Sequence, residues 1–228
     1  FGIMKNIILR AEKDHRFNLS LIVGSAHSSS IFGNTKKEID KIKVKTKKFF
    51  KFKYNNSSKE NILTYFRKTM METQKLFANY KPACALILGD RYEMMAIALC
   101  CINYNIPIAH FCGGSETLGS LDDKYRFAIS KMAKIHFLET KLHKKNIIKN
   151  QIFKNLHVVG SPALESIKDK QKFKSRESSL KKLKLDINIS KKIVTACFQP
   201  ETTRSIEFNK KNLKLILIFL KTLNVNII

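Results

Sequence analysis

Residues 83–112, ACALILGDRYEMMAIALCCINYNIPIAHFC, decide the fold. Two short apolar runs, 83–90 and 107–112, flank a segment at 92–105 whose length and composition are typical of a helix. Each run is continuously apolar rather than alternating, as in parallel strands that are covered on both faces. The stretch therefore predicts one strand–helix–strand unit of an α/β protein.

The same alternation continues on both sides of this unit. The further predicted elements are a helix at 3–14, a strand at 19–24, helices at 35–43 and 58–80 with a strand at 47–54 between them, helices at 122–133 and 141–150, and strands at 134–140 and 156–160. Short apolar strands that alternate with helices predict a parallel sheet of the Rossmann type. Ligands of such sheets bind at the carboxyl ends of the strands.

A change in composition marks a boundary near residue 165. Residues 166–192 are rich in Lys and Ser, as expected of a linker. Beyond it, a strand at 193–199, a helix at 205–224 and the start of another strand indicate a second α/β unit. We therefore predict an N-terminal domain at 1–165, a basic linker at 166–192 and the start of a C-terminal Rossmann-like domain at 193–228. The first domain is expected to lack its opening strand and the second to be incomplete, so that the chain is truncated at both ends.

The positive charge lies away from the predicted strand ends. The chain carries 43 Lys and Arg against 18 Asp and Glu, a formal net charge of +25. Residues 35–53 hold nine basic and two acidic side chains and residues 168–192 hold ten and three, whereas residues 82–140 hold five and six. Basic residues concentrated in surface helix and linker favour a solvated surface over a nucleic-acid interface. No aromatic residues are interleaved as in RNA-binding motifs, so no nucleic-acid partner is expected.

Cysteine usage and hydropathy indicate a cytoplasmic protein without a membrane partner. The five Cys are odd in number and form no C-x-x-C pair, which argues against a disulfide framework or a thiolate metal site. A reducing cytosol follows as the expected compartment. The opening residues show no signal peptide, and the apolar stretch 94–102 is far shorter than the roughly 20 residues of a membrane helix. Walker and G-x-G-x-x-G phosphate loops are absent from the sequence.

The first candidate site is Gly89-Asp90-Arg91, directly after a predicted strand. A carboxylate beside a guanidinium at a strand end can transfer protons or bind phosphate. Asp90 is also a good residue to cap the next helix. The sequence leaves both interpretations open.

The second candidate site is 110–123, HFCGGSETLGSLDD. Gly113 and Gly114 follow a strand and allow the backbone to approach a ligand closely. Three carboxylates then fall within eight residues: Glu116, Asp122 and Asp123. Such a cluster suits proton abstraction at carbon, although the two Asp also suit the N-terminus of helix 122–133. Together with the Gly-Asp-Arg segment, the cluster favours a functional site.

Three histidines are less informative. His27 lies in a loop after a strand, where it either contacts a substrate or is solvated. His136 and His157 fall within strands, so both are expected to be packed.

These segments resemble one enzyme family. Residues 89–140 and 157–167, together with 17–39 and the CFQPETT element at 197–203, resemble the UDP-N-acetylglucosamine 2-epimerases. The similarity is closest to the hydrolysing branch that serves sialic-acid and related nonulosonic-acid synthesis. It spans roughly residues 1–205, with the blocks in the family's order.

The resemblance implies a fold, a reaction and a partner. The fold would be GT-B-like, with two Rossmann-like domains facing across a cleft. The reaction would remove the proton on sugar C2, eliminate UDP and add water, which gives the free 2-epimeric sugar and UDP. The substrate would be UDP-N-acetylglucosamine or a UDP-diacetamido relative. No metal or organic cofactor is implied, and homo-oligomerisation is left open.

The resemblance also assigns roles to residues. Asp90, Asp122 and Asp123 would be the acid/base groups, with Glu116 as the only nearby Glu. Arg91 would contact the diphosphate. The remaining substrate contacts would come from His27, His110, Gly113, Gly114, Ser161, Gln199 and Glu201.

Departures from the family pattern keep two alternatives open. Gln199 stands where the family has a His that activates the leaving group, and Phe127 stands where the family has another His. Cys112 and Ser115 occupy positions at which relatives carry a catalytic Glu. The chain could therefore be an inactive fragment or non-catalytic remnant. A non-hydrolysing epimerase that yields UDP-N-acetylmannosamine is the other alternative.

Overall fold

The computed structural model describes residues 1–30, 33–50, 52–53, 58–168, 175, 177–178, 180 and 190–228. The helices in these residues are α1 (Lys5–Lys13), α2 (Lys36–Asp40), α3 (Lys59–Asn79), α4 (Tyr92–Asn103), α5 (Asp122–Met132), α6 (Lys141–Lys149), α7 (Pro162–Lys168) and α8 (Ile206–Lys221). The strands are β1 (Ser20–Val23), β2 (Thr46–Phe49), β3 (Ala85–Leu88), β4 (Ile108–Phe111), β5 (Ile135–Leu138), β6 (Leu156–Val158), β7 (Ile193–Val194) and β8 (Asn226–Ile227). One turn of 3-10 helix lies at Ser25–Ser28, within a predicted loop.

A four-stranded parallel sheet organises the larger part of the molecule. Its strand order is β3-β4-β5-β6, and each neighbouring pair is parallel. All four residues of β4 are buried, as its continuous apolar sequence predicted. Ile87, Ile108, Ala98 and Ile129 from β3, β4, α4 and α5 meet in one core. The predicted α/β class with a parallel sheet is confirmed, and the carboxyl ends of β3, β4 and β5 lie side by side.

A smaller parallel pair forms from β1 and β2. Ile8, Ile42 and Val44 make a separate apolar cluster beside it. Lys47 on β2 turns its ammonium toward the end of α2, where Nζ donates to the carbonyl oxygens of Ile42 (2.6 Å) and Ile39 (3.1 Å). A basic side chain near a helix C-terminus satisfies carbonyls that have no partner within the helix.

Helix starts follow the capping residues, with one correction. The Ser58 Oγ accepts from the backbone N–H of Asn61 at the start of α3, and Thr140 caps α6 in the same way. Asp90, by contrast, does not cap α4. The N-cap position is Arg91, and the Asp90 side chain bonds elsewhere. The capping interpretation of Asp90 was therefore wrong.

The two strand histidines differ in burial. His136 on β5 is buried, as predicted, because β4 and β6 flank its strand. His157 on β6 is exposed, so the prediction that it is packed was wrong. The reason is its position: β6 ends the order of the described sheet, where fewer neighbours cover a side chain.

The chain divides into two compact units. The first comprises Phe1–Glu116 and Asp122–Asp169, and the second comprises Thr117–Leu121 and Lys170–Ile228. Assignment of the loop 117–121 to the second unit was not expected from the sequence. The domain boundaries stated above remain a prediction, and most of the predicted linker 166–192 lies outside the described residues.

Within the second unit, β7 and β8 pair in parallel and α8 connects them. The strand predicted at 193–199 is regular over two residues only. The Gly119 carbonyl accepts from the Thr203 N–H (3.2 Å) and hydroxyl (3.0 Å), which fastens the loop 117–121 to the segment before α8. The last turns of α8 expose a run of large apolar side chains at 215–219.

No helix among the described residues is long and apolar enough to cross a membrane.

Candidate active site

The centre of the candidate site is Arg126, a buried arginine on α5. Its Nη2 donates to Asp90 Oδ2 and its Nη1 to Asp123 Oδ1, and both contacts are ion pairs. Nη1 also donates to the carbonyl oxygen of Ser115, at 2.6 Å. One guanidinium therefore joins the residue after Gly89 at the end of β3, the loop after β4 and the first turn of α5. A planar fork of donors is well suited to fixing two carboxylates in one orientation.

Arg126 was not predicted from the sequence. Its spacing from Asp123, three residues along a helix, was the available signal for an ion pair. The partner from β3 could not be seen without the sheet. The carboxylates of Asp90 and Asp123, predicted from their strand-end and helix-start positions, do lie together around this arginine. Asp122 is half-buried in the same helical turn, and Glu116 is exposed.

His110 supports the backbone before Asp90. Its ring is completely buried, and Nε2 lies 2.8 Å from the Gly89 carbonyl oxygen. A carbonyl can only accept, so Nε2 carries the proton and Nδ1 accepts from the Ser130 hydroxyl at 3.0 Å. The resemblance placed His110 in the sugar pocket, but both ring nitrogens face protein. Its observed contacts hold the end of β3 in position.

Burial keeps His110 neutral and makes folding sensitive to acid. Burial lowers the pKa of His110 from 6.5 to about 4. Below pH 6.5 the His110 side chain is protonated in the unfolded chain but stays neutral in the folded chain. The free energy of unfolding therefore falls as the pH decreases from 6.5 to about 4. The lowered pKa of His110 decreases the free energy of unfolding by about 3 kcal/mol at low pH, since each unit of pKa corresponds to about 1.36 kcal/mol.

We expect His110→Gln to flatten the fall in unfolding free energy between pH 7 and 4, measured by urea denaturation. Gln retains a donor for Gly89 but does not titrate. His27 and His136 also have a lowered pKa, mainly because of burial, so part of the slope persists in the variant. His15→Gln, at an exposed position, is the matched control. Equal slopes in the wild type and His110→Gln would contradict the assignment.

A second group of polar side chains surrounds Arg91. Its Nε and Nη2 donate to Glu93 Oε2 (3.0 Å) and Oε1 (2.9 Å), and its guanidinium lies 5.5 Å from the ring centre of Tyr92. The Arg91 side chain is 52% exposed, so it keeps a surface open to an anion. Glu93, which orients it, was not predicted from the sequence.

The charge of Arg91 affects the pKa of His27. Burial lowers the pKa of His27, and the positive charge of Arg91 lowers it further. The Nδ1 atom of His27 lies 2.7 Å from the Thr35 hydroxyl oxygen. The loop after β1 therefore lies near enough to the start of α4 for the charge of Arg91 to act on His27.

The glycine pair after β4 is packed against protein. A Cβ on Gly113 would lie 2.9 Å from Ser130 Oγ. Gly114 has a φ of 77°, and a Cβ there would lie 2.3 Å from the carbonyl oxygen of His143 on α6. Asn146 on α6 donates to the Gly114 carbonyl at 3.0 Å. The close approach expected of these glycines is thus made to α5 and α6, which fixes the loop that carries Ser115.

The remaining predicted contacts are spread over both units. Ser161 is half-buried at the start of α7 in the first unit. In the second unit Gln199 is exposed, with Nε2 3.5 Å from Cys197 Sγ. The Glu201 carboxylate lies 3.5 Å from Arg204 Nε and against Gly119. Among the described residues, no group of three or more His, Cys, Asp or Glu is arranged to hold a metal ion.

Comparison with solved structures defines the class of fold. The structure matches that of Methanocaldococcus jannaschii UDP-GlcNAc 2-epimerase in complex with UDP-GlcNAc and UDP, with a TM-score of 0.75 and 18% identity over 99% of this chain and 61% of that chain. It also matches UDP-GlcNAc 2-epimerase from Neisseria meningitidis bound to UDP-GlcNAc, with a TM-score of 0.69 and 19% identity over 85% and 53% of the two chains. The predicted GT-B-like class is confirmed.

Sequence comparison gives the family. The UDP-N-acetylglucosamine 2-epimerase profile matches residues 9–228, and the chain belongs to that family. It is 31% identical to the GDP/UDP-N,N'-diacetylbacillosamine 2-epimerase (hydrolyzing) of Campylobacter jejuni over 97% of this chain and 56% of the relative. It is 29% identical to the Legionella pneumophila UDP-N,N'-diacetylbacillosamine 2-epimerase (hydrolyzing) over 73% and 44%. The chain thus spans about half the length of these curated relatives.

Proposed function

We propose that this chain provides the proton-transferring domain of a hydrolysing UDP-sugar 2-epimerase. The observation that carries the proposal is the pair of carboxylates, Asp90 and Asp123, held by Arg126 at the carboxyl ends of a parallel sheet. Ligands of parallel sheets bind at this edge. The names of the Campylobacter and Legionella relatives support the hydrolysing reaction and a UDP-diacetamido sugar, with UDP-N-acetylglucosamine as the other candidate substrate.

The proposed reaction needs groups that move protons at carbon and a contact for the diphosphate. A carboxylate takes the proton from C2, the C2–H electron pair forms the C1=C2 double bond, and UDP leaves C1 with the electrons of the C1–O bond. Water then adds its hydroxyl to C1 while C2 receives a proton on the opposite face. Asp90 and Asp123 are the acid/base groups of this scheme, with Asp122 and Glu116 as further candidates.

Arg91 has the exposure and charge to meet the diphosphate, while His27 and the backbone of Gly113 and Gly114 border the sugar. Ser161, Gln199 and Glu201 remain proposed substrate contacts. We propose no metal or organic cofactor, because carboxylates can carry both proton transfers. The cytoplasm is the proposed compartment, in line with the unpaired thiols of all five cysteines. A place in sialic-acid or related synthesis is proposed from the similarity to the Escherichia coli polysialic acid biosynthesis protein P7.

The test is UDP release and free-sugar formation from UDP-N-acetylglucosamine and from UDP-N,N'-diacetylbacillosamine. Formation of the free 2-epimeric sugar and UDP in equal amounts would support hydrolysis. Accumulation of UDP-N-acetylmannosamine would establish the non-hydrolysing alternative instead. No change in either substrate, even with protein in excess, would overturn the proposal.

Gln199 favours a second candidate, a non-catalytic remnant that only binds the nucleotide sugar. Gln can donate a hydrogen bond, but it cannot exchange a proton with a leaving group.

We expect residues 1–228 alone to release UDP at least roughly 100-fold more slowly than the same chain extended with the remaining part of the Campylobacter relative. The reason is that each lost hydrogen-bond donor to a leaving group lowers the rate by about that factor.

The matched control for this comparison carries the same extension and Asp90→Asn. Its inactivity would show that any restored rate depends on the present chain. Equal rates with and without the extension would refute the remnant interpretation, and an inactive extended chain would support it.

A further inference from the structure

A third carboxylate, Glu139, lies at the same edge of the sheet as Asp90. Glu139 directly follows β5, and its side chain is 23% exposed. The order β3-β4-β5 places three strand ends in a row, with Asp90 beyond the first, Cys112 after the second and Glu139 after the third. Neither the sequence pattern nor the family resemblance drew attention to Glu139.

Cys112 follows β4, between the strand ends that carry the two carboxylates. Its backbone N–H donates to the Phe137 carbonyl at 3.0 Å, which extends the pairing of β4 and β5 to the strand ends. Its φ of 63° is unusual for a residue other than glycine and turns the chain away from the strand direction. Glu139, Asp90 and Arg126 all lie close enough to Cys112 to affect the pKa of its thiol.

The electrostatics of Cys112 agree with this arrangement. Burial first, and then the negative charges of Glu139 and Asp90, raise the pKa of Cys112 to about 12. The thiol is therefore neutral at pH 7. The effect of both carboxylates on this one thiol agrees with the order β3-β4-β5, which places them on either side of the end of β4.

His143, in the first turn of α6, lies near the Glu139 carboxylate. Thr140 caps α6 by accepting from the His143 N–H at 3.1 Å, which fixes the first turn of the helix. The His143 Nδ1 lies 3.9 Å from Glu139 Oε2, and this nitrogen is buried without a hydrogen-bond partner in the described part of the chain. Glu139 thus has a partner able to hold its carboxylate toward the sheet edge.

The charged partners of the three carboxylates differ. Asp90 and Asp123 each have one oxygen engaged by the Arg126 guanidinium. In the described residues, the basic side chain beside Glu139 is the His143 imidazole. Glu139 is therefore less constrained by a permanent cation than the other two. Inversion at one carbon requires proton removal on one face and proton delivery on the other, which two separate groups accomplish most simply.

We propose that Glu139, which lies near His143 and the Cys112 thiol, is the acid that delivers the proton to C2 during the hydration step. This inference rests on the proposed 2-epimerase function and adds a second proton-transferring residue to it. Protonated Glu139 gives its proton to C2 of the unsaturated sugar while the water hydroxyl bonds to C1. The proton released by that water replaces the one that Glu139 has given.

The experiment separates the two steps. Residues 1–228, in excess over the UDP-sugar, are followed by NMR for UDP, for the unsaturated acetamido-glycal and for the free sugar. In Glu139→Gln we expect elimination of UDP to persist, the glycal to accumulate and the free sugar to form roughly 100-fold more slowly or less, as for loss of a general acid. In Asp90→Asn we expect elimination itself to fail. Glu165→Gln, which alters an exposed ion pair with Arg10, is the matched control.

Each outcome has one meaning. Unchanged free-sugar formation in Glu139→Gln would overturn the inference, and so would an equal loss of elimination and hydration, which indicates a structural role. A wild-type chain without elimination on either substrate would instead overturn the proposed function, and the inference with it.

A readout independent of activity tests the geometry. Removing the charge of Glu139 should lower the pKa of Cys112, measured as the pH dependence of iodoacetamide labelling of the Cys112 peptide by mass spectrometry. An unchanged labelling profile, with the fold intact by circular dichroism, would show that Glu139 does not face Cys112 and would overturn the inference.

Discussion

Replacing Asp90 by Asn is expected to slow UDP release from the UDP-sugar substrate by roughly 100- to 10,000-fold, the range for loss of a general base. Asn has the shape of Asp and keeps an oxygen for Arg126, so the loop geometry should persist. What it loses is the ability to take a proton from C2. The measurement is a coupled assay for UDP in single-turnover conditions.

The control for Asp90→Asn is Asp40→Asn, which removes a carboxylate from an exposed pair with Lys36 on α2. That variant should keep the wild-type rate. Substrate binding, measured by calorimetry, should change little in Asp90→Asn, because the proton transfer and not the uridine contact is removed. A rate within a few-fold of the wild type would exclude Asp90 from the chemistry and leave it as a ligand of Arg126.

Replacing Arg126 by Met is expected to lower the free energy of unfolding by about 3 kcal/mol, the low end of the cost of breaking a buried ion pair. Met fills a similar volume, so the loss comes from charge rather than from a cavity. Asp90 and Asp123 would keep their negative charges a short distance apart without the cation between them. Their partial exposure keeps the cost at the low end, because water screens them in part. Urea denaturation at pH 7 measures the change.

Arg10→Met is the matched control, because Arg10 pairs with Glu165 at the surface. Exposed pairs contribute about 0–1 kcal/mol, so the control should unfold near the wild-type midpoint. Arg126→Lys should fall between the two, since an ammonium keeps the charge but cannot bond two carboxylates in one plane. Equal stability of Arg126→Met and wild type would mean that the ion pairs add nothing to the fold.

Local sequence patterns predicted the strands and the edge of the sheet where the site lies. The mainly apolar runs at 83–90 and 107–112 were sufficient, because such short runs on either side of a helix are typical of neighbouring parallel strands. The polar residues that follow such runs must lie at the sheet edge. Asp90 was therefore found from its position alone, although its partner and its lack of a capping role required the structure.

The partnerships that cross the sheet could not be predicted. In the sequence, Arg126 is one basic residue in a helix that contains both polar and apolar residues. Its contact with Asp90 joins two residues that are 36 positions apart in the chain. Glu139 joins the site only through the register of β4 and β5, which places Cys112 beside the end of β5. His157 was misjudged because its strand has the local pattern of a buried one, while burial depends on what covers the strand. Each of these depends on long-range packing that local patterns do not encode.

The glycine pair after β4 has a consequence for altering substrate choice by directed evolution. Any mutation at either codon introduces a side chain, and its first carbon would collide with Ser130 at position 113 or with the α6 backbone at position 114. Variants at position 114 would be lost to misfolding, and those at position 113 would push the Ser130 hydroxyl away from His110, before selection could act on the sugar they accept. A library that holds both codons constant and randomises His27, which is half-buried in the loop after β1 and is proposed to border the sugar, would keep most of its members folded. The accessible routes to a new sugar therefore run through the loop after β1 rather than through the turn that follows β4.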